Sequence, residues 1–262
     1  MTQAEEAFSR ELRALKSEAD SGIQFFYTYL AIKAVLAEDK AALDLLNENV
    51  IFWRTILGAL QAASFMSLGR AFDRKRGSHG IDSLLRATRT NSGIFIKPAF
   101  RARRLRENAS AHKWIDEYVS GIHEPTERDF RRLECIVAKY REQYERVYRV
   151  IRHKIYAHRS KGVEMEDLFQ NTKIRDLERL FVFLNRLHEA MWQLFHNGRK
   201  PNLRFMRSSV QGIRKNMAPR WETRPLQEEV VRDADDFFQL FCHGNRKPDD
   251  REVQEMWFDD VR

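Results

Sequence analysis

The sequence predicts an all-α protein, and three observations indicate this fold class. Gly and Pro are few, at 11 and 6 of 262 residues, whereas the helix formers Leu, Ala, Arg and Glu are abundant. Apolar residues recur at spacings of three and four over several long stretches, which is the period of an amphipathic helix. Mostly short connections join these stretches. We therefore expect an up-and-down bundle of four long helices with a helical C-terminal extension.

The first two long helices are predicted from Gln3 to about Glu38 and from about Lys40 to Phe72. The Ser21-Gly22 pair can break the first helix into two pieces. The apolar residues that define the two helical faces are Ile23, Phe26, Tyr27, Leu30 and Ala34, and then Leu43, Leu46, Val50, Trp53, Leu57 and Leu60.

The next stretch, from Ser78 to about Arg106, is less regular and contains one short predicted helix from Ile81 to Thr88. Its second half is rich in positive charge. Two interpretations stay open, a basic patch available to a ligand and an ordinary solvated helix face. The residues concerned are Lys97, Arg101, Arg103, Arg104 and Arg106.

The third long helix is predicted to begin near Pro125, because proline and early acidic residues suit a helix N-terminus. Its apolar face steps by three and four, and the next step falls on His158. Gly162 follows at a place that suits a C-terminal cap. The members of the face are Leu133, Val137, Tyr140, Tyr144, Val147, Ile151 and Ile155.

A fourth long helix is predicted from about Lys173 to Phe195, with Asn197-Gly198 as its end. We interpret His188 on its apolar face as a core residue. Residues 199–221 then carry seven Lys and Arg and no Asp or Glu, and a last helix is predicted from Pro225 to Phe241. The predicted domains are therefore 1–198, the helical bundle, and 199–262, a basic linker with a C-terminal helix and a polar tail.

Composition limits the classes of partner. The net charge of +8 and the pI of about 9.6 favour a polyanionic partner such as RNA, although many soluble proteins are mildly basic. Cys135 and Cys242 are far apart and no Cys/His cluster is present, so we expect no disulfide framework, no metal site and no cofactor. We also expect no signal peptide, no membrane partner and a cytoplasmic location.

The segment that can carry chemistry is 151–160, which closes the third helix. A histidine can transfer protons near neutral pH, and an arginine presents a fork that matches phosphate oxygens. Arg152, His153 and His158 therefore supply the groups that RNA cleavage without a metal requires. On an ideal α-helix Arg152 and His158 would lie about 120° apart, so the helix must end or distort between them, or a second protomer must complete the site.

A second interpretation needs no catalysis. Helix C-termini attract basic residues because the helix dipole favours positive charge there. His158 would then be a hydrogen-bonded core residue. Likewise, Arg70 and Asp73 at the end of the second helix are expected to form an ion pair.

The spacing of Arg152 and His158, with a polar residue after the arginine, resembles the R-x(4–6)-H motif of the HEPN superfamily. The segment 151–159 is similar in particular to the branch associated with abortive infection system U in bacteria. Two upstream segments, 68–73 (LGRAFD) and 81–85 (IDSLL), resemble the Arg-x-Phe-Asp and Ser-Leu-Leu region of that branch. The resemblance covers roughly residues 10–197.

The resemblance implies a HEPN-like bundle that forms a homodimer, in which both motifs line one cleft and cleave RNA without a metal. Arg152 would stabilise the phosphate charge, His158 would be the acid and base, and His153 would assist. The substrate-binding candidates are Lys154, Tyr156 and Arg159. The implied role is an endoribonuclease toxin in antiphage defence, with a possible antitoxin or regulatory partner. The alternatives are a noncatalytic module that binds RNA or a protein, and a structural protein with a coincidental motif.

Overall fold

The computed structural model describes residues 1–75, 77–157, 169–170, 172–203, 209–217 and 225–244. Every regular element within these ranges is helical, which confirms the all-α class. The α-helices are α1 (Gln3–Glu38), α2 (Lys40–Glu48), α3 (Val50–Ala71), α4 (Ile81–Thr90), α5 (Lys97–Glu107), α6 (Ile115–Ser120), α7 (Glu127–Gln143), α8 (Ile174–Asn197), α9 (Val210–Lys215) and α10 (Leu226–His243). Short 3-10 helices span Ser92–Phe95 and Ala109–Lys113.

The chain divides into two compact units. Unit 1 comprises residues 1–25 and 61–209, and unit 2 comprises residues 26–60 and 210–262. Helices α1 and α3 each contribute residues to both units. The predicted domain boundary at residue 198 stays a prediction.

Unit 1 is built around aromatic side chains of α1 and α8. The ring of Phe8 lies 4.9 Å from that of Phe195 and 5.2 Å from that of Phe95. At Gly22 the backbone of α1 approaches the α8 side chain Phe181 so closely that a Cβ would lie 2.4 Å from Cε1. Helix α1 is continuous through this glycine, so the expected break at Ser21-Gly22 is wrong. The glycine permits close packing instead.

Unit 2 has its own apolar core, centred on Trp53, which stacks on Phe238 of α10 at 5.7 Å. The single helix expected over residues 40–72 is two helices, α2 and α3, with Asn49 between them. Asp39 caps α2 by accepting hydrogen bonds from the backbone of Ala41 and Ala42. The unexpected break comes at Asn49, which ends α2 with its backbone N–H bonded to the Leu46 carbonyl.

Arg103 on α5 is buried and paired, which corrects the idea of a free basic patch. It is 2% exposed, and its guanidinium lies 3.3 Å from the Glu5 carboxylate. The guanidinium also donates a hydrogen bond to the Phe195 carbonyl in the last turn of α8. Arg106 also pairs with Glu5, and Arg101 pairs with Asp116 at 2.7 Å. These cations join helices of unit 1.

The end of α8 agrees with the sequence. Gly198 adopts a left-handed conformation with φ 57°, and its N–H bonds back to Leu194. A Cβ at this position would lie 2.5 Å from Ile122. Close packing and positive φ both require glycine here.

By length and composition, α3 is the one helix among the described residues that could cross a membrane. Core helices of soluble proteins share these properties, so this is weak evidence. The expectation that the protein has no membrane partner stays a prediction.

Candidate active site

The helix that carries the chemical segment is not a uniform α-helix. It begins with a capping box, in which Thr126 and Asp129 satisfy each other's backbone N–H groups. After α7 it continues through a π-helical turn (Tyr144–Tyr148), a short α-helical stretch (Arg149–Ile151) and a second π-helical segment (Arg152–Ala157). Such π turns are rare and concentrate at functional sites. The helix is therefore distorted from Arg152 onward, which was one of the alternatives that the spacing of Arg152 and His158 left open.

The π turn changes which side chains face the core. The expected face is buried at Leu133, Val137, Tyr144 and Ile151. Between Tyr144 and Ile151, however, the buried residue is Tyr148, which is 1% exposed, while the predicted Val147 is only half-buried. The wider turn shifts the face by one residue.

Arg152 is half-buried, and its side chain lies directly against Gly69 of α3. A Cβ on Gly69 would lie 2.2 Å from Arg152 Nε, 2.3 Å from Cδ and 2.7 Å from Cζ. The guanidinium therefore occupies space that any other residue at position 69 would fill. Among the described residues, no hydrogen-bond partner reaches the buried Nε atom.

Tyr144 is a titratable neighbour of Arg152. Its ring stacks on Phe72 with centroids 4.8 Å apart and planes at 12°, and its hydroxyl is buried. Burial raises the pKa of the Tyr144 phenol, and the adjacent Arg152 guanidinium opposes this rise. The charges of Arg149 and Asp73 also act on the phenol, the first lowering its pKa and the second raising it.

Two segments that lie far apart in the sequence thus meet at one place. The segment 68–73 supplies Gly69 and Phe72, and the helix supplies Arg152 and Tyr144. Both segments were singled out for the same resemblance. The expected ion pair between Arg70 and Asp73 is wrong. Arg70 pairs instead with Glu18 of α1, at 2.7 Å.

Helix α4 fixes the same part of α7 through charge. Asp82 forms an ion pair with Arg141, and Arg74 lies 3.8 Å from Asp82 and 3.9 Å from Glu145. These contacts tie the segment 81–85 to the turn that precedes Tyr144. They restrict the position of the helix that carries Arg152.

The other predicted site residues are placed as follows. His153 is exposed and Lys154 is half-buried. The half-buried ring of Tyr156 packs on Phe65 of α3, with centroids 5.2 Å apart, so at least one side of it is engaged in packing. The predicted residues His158 and Arg159 lie outside the described residues.

His188 is a core residue, as the sequence indicated. It is 8% exposed on α8, and burial together with the positive charge of Lys16 lowers its pKa to about 4. The imidazole is therefore neutral at pH 7.

The described parts of the chain contain no group of three or more His, Cys, Asp or Glu side chains that could hold a metal ion. The polar atoms of the site belong to arginine and tyrosine. This set suits an anionic ligand such as a phosphate.

Sequence reasoning missed Gly69 and the role of Tyr144. A signal for Gly69 was present, because glycine inside a helix costs about 1 kcal/mol relative to alanine and so indicates a packing requirement. Its partner, 83 positions later in the chain, could not be identified from local spacing.

Comparison with known proteins gives one result. The family model HEPN_AbiU2, described as AbiU2, matches residues 5–237. The match includes both segments that meet at Arg152. No curated protein and no solved structure matches the chain.

Proposed function

Because this chain belongs to the HEPN family AbiU2, as its motifs indicated, we propose that it is a metal-independent endoribonuclease. In this proposal Arg152 and His158 form the catalytic pair of the Arg-x5-His motif, and His153 assists. The substrate is RNA, and one product ends in a 2′,3′-cyclic phosphate. Lys154, Tyr156 and Arg159 are the proposed substrate contacts.

One observation carries the proposal. The Arg152 side chain lies in a slot that exists only because residue 69 is glycine, and no acidic residue pairs with Arg152 within the described residues. A structural arginine in a half-buried position is normally paired, as Arg103 is with Glu5. A guanidinium that is held in place with no acidic partner among the described residues keeps donors available for phosphate oxygens.

The reaction needs three functions from the protein. A base takes the proton of the 2′-hydroxyl, whose oxygen attacks the adjacent phosphorus and forms the cyclic phosphate. The bond from phosphorus to the 5′-oxygen breaks, and an acid returns a proton to that oxygen. Arg152 stabilises the charge that accumulates on the phosphoryl oxygens, which is worth most when the cation is already in place. His158 is the proposed base, and either histidine could supply the returning proton.

The biological role is proposed by extension from the family. The enzyme would act in the cytoplasm on phage or host RNA and arrest the infected cell, as an abortive-infection toxin. A homodimer would bring two copies of the motif together, and an antitoxin or regulatory protein would restrain activity. A two-fold arrangement satisfies the geometric need for a second group near Arg152.

The test is cleavage of a mixed RNA pool by the purified protein in EDTA. We expect the wild type to produce 2′,3′-cyclic phosphate ends, and we expect Arg152→Ala and His158→Ala to reduce the rate at least 100-fold. Arg146→Ala is a matched control, because Arg146 is exposed on the same helix without a partner in the described chain. Wild-type activity in either motif variant would refute the assignment.

The second candidate function is RNA binding without cleavage, and the charge distribution favours it. Unit 1 contains 34 Lys and Arg against 22 Asp and Glu, whereas unit 2 contains 12 against 16. Excess positive charge on one unit attracts a polyanion whether or not catalysis follows. Salt-sensitive RNA binding by the wild type, with no cleavage in any condition, would support this function.

A further inference from the structure

A polar cleft in unit 1 lies at the opposite end of α7 from Arg152. One wall is the first half of α7, and the other is the segment 200–203 that follows α8. The loop before α7 is joined to the end of α8 by a hydrogen bond from His123 N–H to the Gly198 carbonyl, 2.7 Å long. Two adjoining cavities of about 560 and 1080 Å³ share Asp129, Arg132 and Lys200, so they form one groove.

Positive side chains line this groove from both walls. Arg128 and Arg132 are four residues apart, so they project from the same face of α7, and both are exposed. Neither forms a hydrogen bond or ion pair with any residue that the structure describes. Lys200 faces them from the other wall, with its side chain 59% exposed. Three cations are thus presented to solvent in a concave site.

Among the described residues, the acidic group of the groove, Asp129, pairs with Lys200 and His123 but with neither arginine. Burial alone would raise the pKa of Asp129, but hydrogen bonds from Thr126 and the charges of Lys200 and His123 lower it to about 2. Its two oxygens are engaged by Thr126, by His123 at 3.2 Å and by Lys200 at 3.5 Å. This carboxylate is committed to the capping box, which leaves the arginines free for an external anion.

We propose that this groove, formed by Arg128, Arg132 and Lys200, is a second contact surface for the RNA backbone, remote from the motif of Arg152. A small apolar ligand is disfavoured, because such ligands bind pockets lined mainly by apolar side chains. Cations on two walls of an open groove suit a chain of phosphates. The sequence after this wall adds further Lys and Arg and no acidic residue up to Trp221. The inference rests on RNA being the ligand of the proposed function.

The distance between the groove and Arg152 sets the length of RNA that can contact both. The helix is continuous from Glu127 to Ala157, so the 20 residues from Arg132 to Arg152 span roughly 30 Å. A stacked strand at 3.4 Å per nucleotide needs about nine nucleotides to cover this distance. An RNA of 20 nucleotides can reach both places, and one of four nucleotides cannot.

The experiment measures binding of a 20-nucleotide RNA in which every 2′-hydroxyl is methylated, so that cleavage is impossible. The affinity is determined at several salt concentrations for the full chain and for Arg128→Gln/Arg132→Gln/Lys200→Gln. Each lost phosphate contact should reduce the slope of log affinity against log salt by about 0.7, so the triple variant should lose about 2. At 0.1 M salt this corresponds to about 100-fold weaker binding.

The matched control is Arg13→Gln/Arg86→Gln/Lys113→Gln. It removes the same charge from exposed positions of unit 1 outside the groove, and it should keep most of the wild-type slope. Arg132→Glu is a second variant that should weaken binding more than Arg132→Gln. Circular dichroism and thermal unfolding verify that each variant is folded.

Three outcomes would overturn the proposal. They are no binding by the wild type, an unchanged slope in the groove variant, and an equal loss of slope in the groove and control variants. Because the probe cannot be cut, these results do not depend on whether Arg152 and His158 catalyse cleavage. Both proposals would be supported if Arg152→Ala lost cleavage but kept the wild-type slope of log affinity against log salt.

Discussion

The replacement Gly69→Ala tests whether the position of Arg152 matters for cleavage. The new methyl group would lie 2.2 Å from Arg152 Nε, whereas non-bonded heavy atoms separate to about 3.5 Å. The guanidinium must therefore move by about 1 Å. A displacement of this size in a reacting group can lower the rate on the order of 100-fold.

The same replacement should hardly change stability. Alanine in a helix interior is favoured over glycine by about 0.5–1 kcal/mol. Moving the flexible Arg152 side chain to a poorer rotamer costs about 0.5–1.5 kcal/mol. The two effects nearly cancel, so we expect the free energy of unfolding to stay within about 1 kcal/mol and Tm within about 4 °C.

Gly58 on the same helix is a matched control, because a Cβ there would have no atom within 4 Å. Gly58→Ala should gain the helix preference and cleave RNA at the wild-type rate. The assays are the rate of RNA cleavage in EDTA and thermal unfolding followed by circular dichroism. A folded Gly69→Ala variant with wild-type activity would refute the argument that the slot positions Arg152.

Two further predictions concern buried charge. Glu5→Gln removes the negative charge that pairs with the Arg103 guanidinium, whose side chain is 3% exposed, and should lower the free energy of unfolding in urea by about 3 kcal/mol. Arg101→Gln, which breaks the exposed pair with Asp116, should change stability far less, because solvent screens an exposed ion pair. Because the pKa of His188 is about 4 when folded and 6.5 in an unfolded chain, the unfolded state binds the extra proton between these values. Stability should therefore fall by about 3 kcal/mol from pH 6.5 to pH 4, a loss that is absent in His188→Gln, and equal pH profiles for the two proteins would contradict the assignment.

The parts of the fold that local rules govern could be predicted from the sequence. Helix α8 shows this, because Phe181, Leu184 and His188 are buried at the expected spacing and Gly198 ends the helix. Helical periodicity and glycine caps depend on neighbouring residues alone. The start of the helix departs from this pattern, because Ile174 is 58% exposed and Leu177 is half-buried.

The parts that depend on distant partners could not be predicted. Arg103 looked like one cation in a basic stretch, and only the fold shows that it is buried against Glu5, 98 positions earlier. Periodicity also assumes one helical pitch, so it assigned Val147 to the core where the π turn buries Tyr148. For the candidate site, the sequence identified Arg152 but neither the slot at Gly69 nor the neighbouring phenol.

The π turns explain how one helix end can serve both the core and the site. Tyr148 and Ile151 are each 1% exposed, so this face of the helix is committed to packing. Arg152 follows Ile151 directly and yet lies against α3 at Gly69, beside Tyr144. The wider turns, one before Arg152 and one that begins at it, adjust the direction of successive side chains, and such turns are rare in helices. These turns occur at the segment where an arginine without an acidic partner among the described residues meets the glycine slot, and this combination is the physical reason why we place the proposed function at this end of the helix.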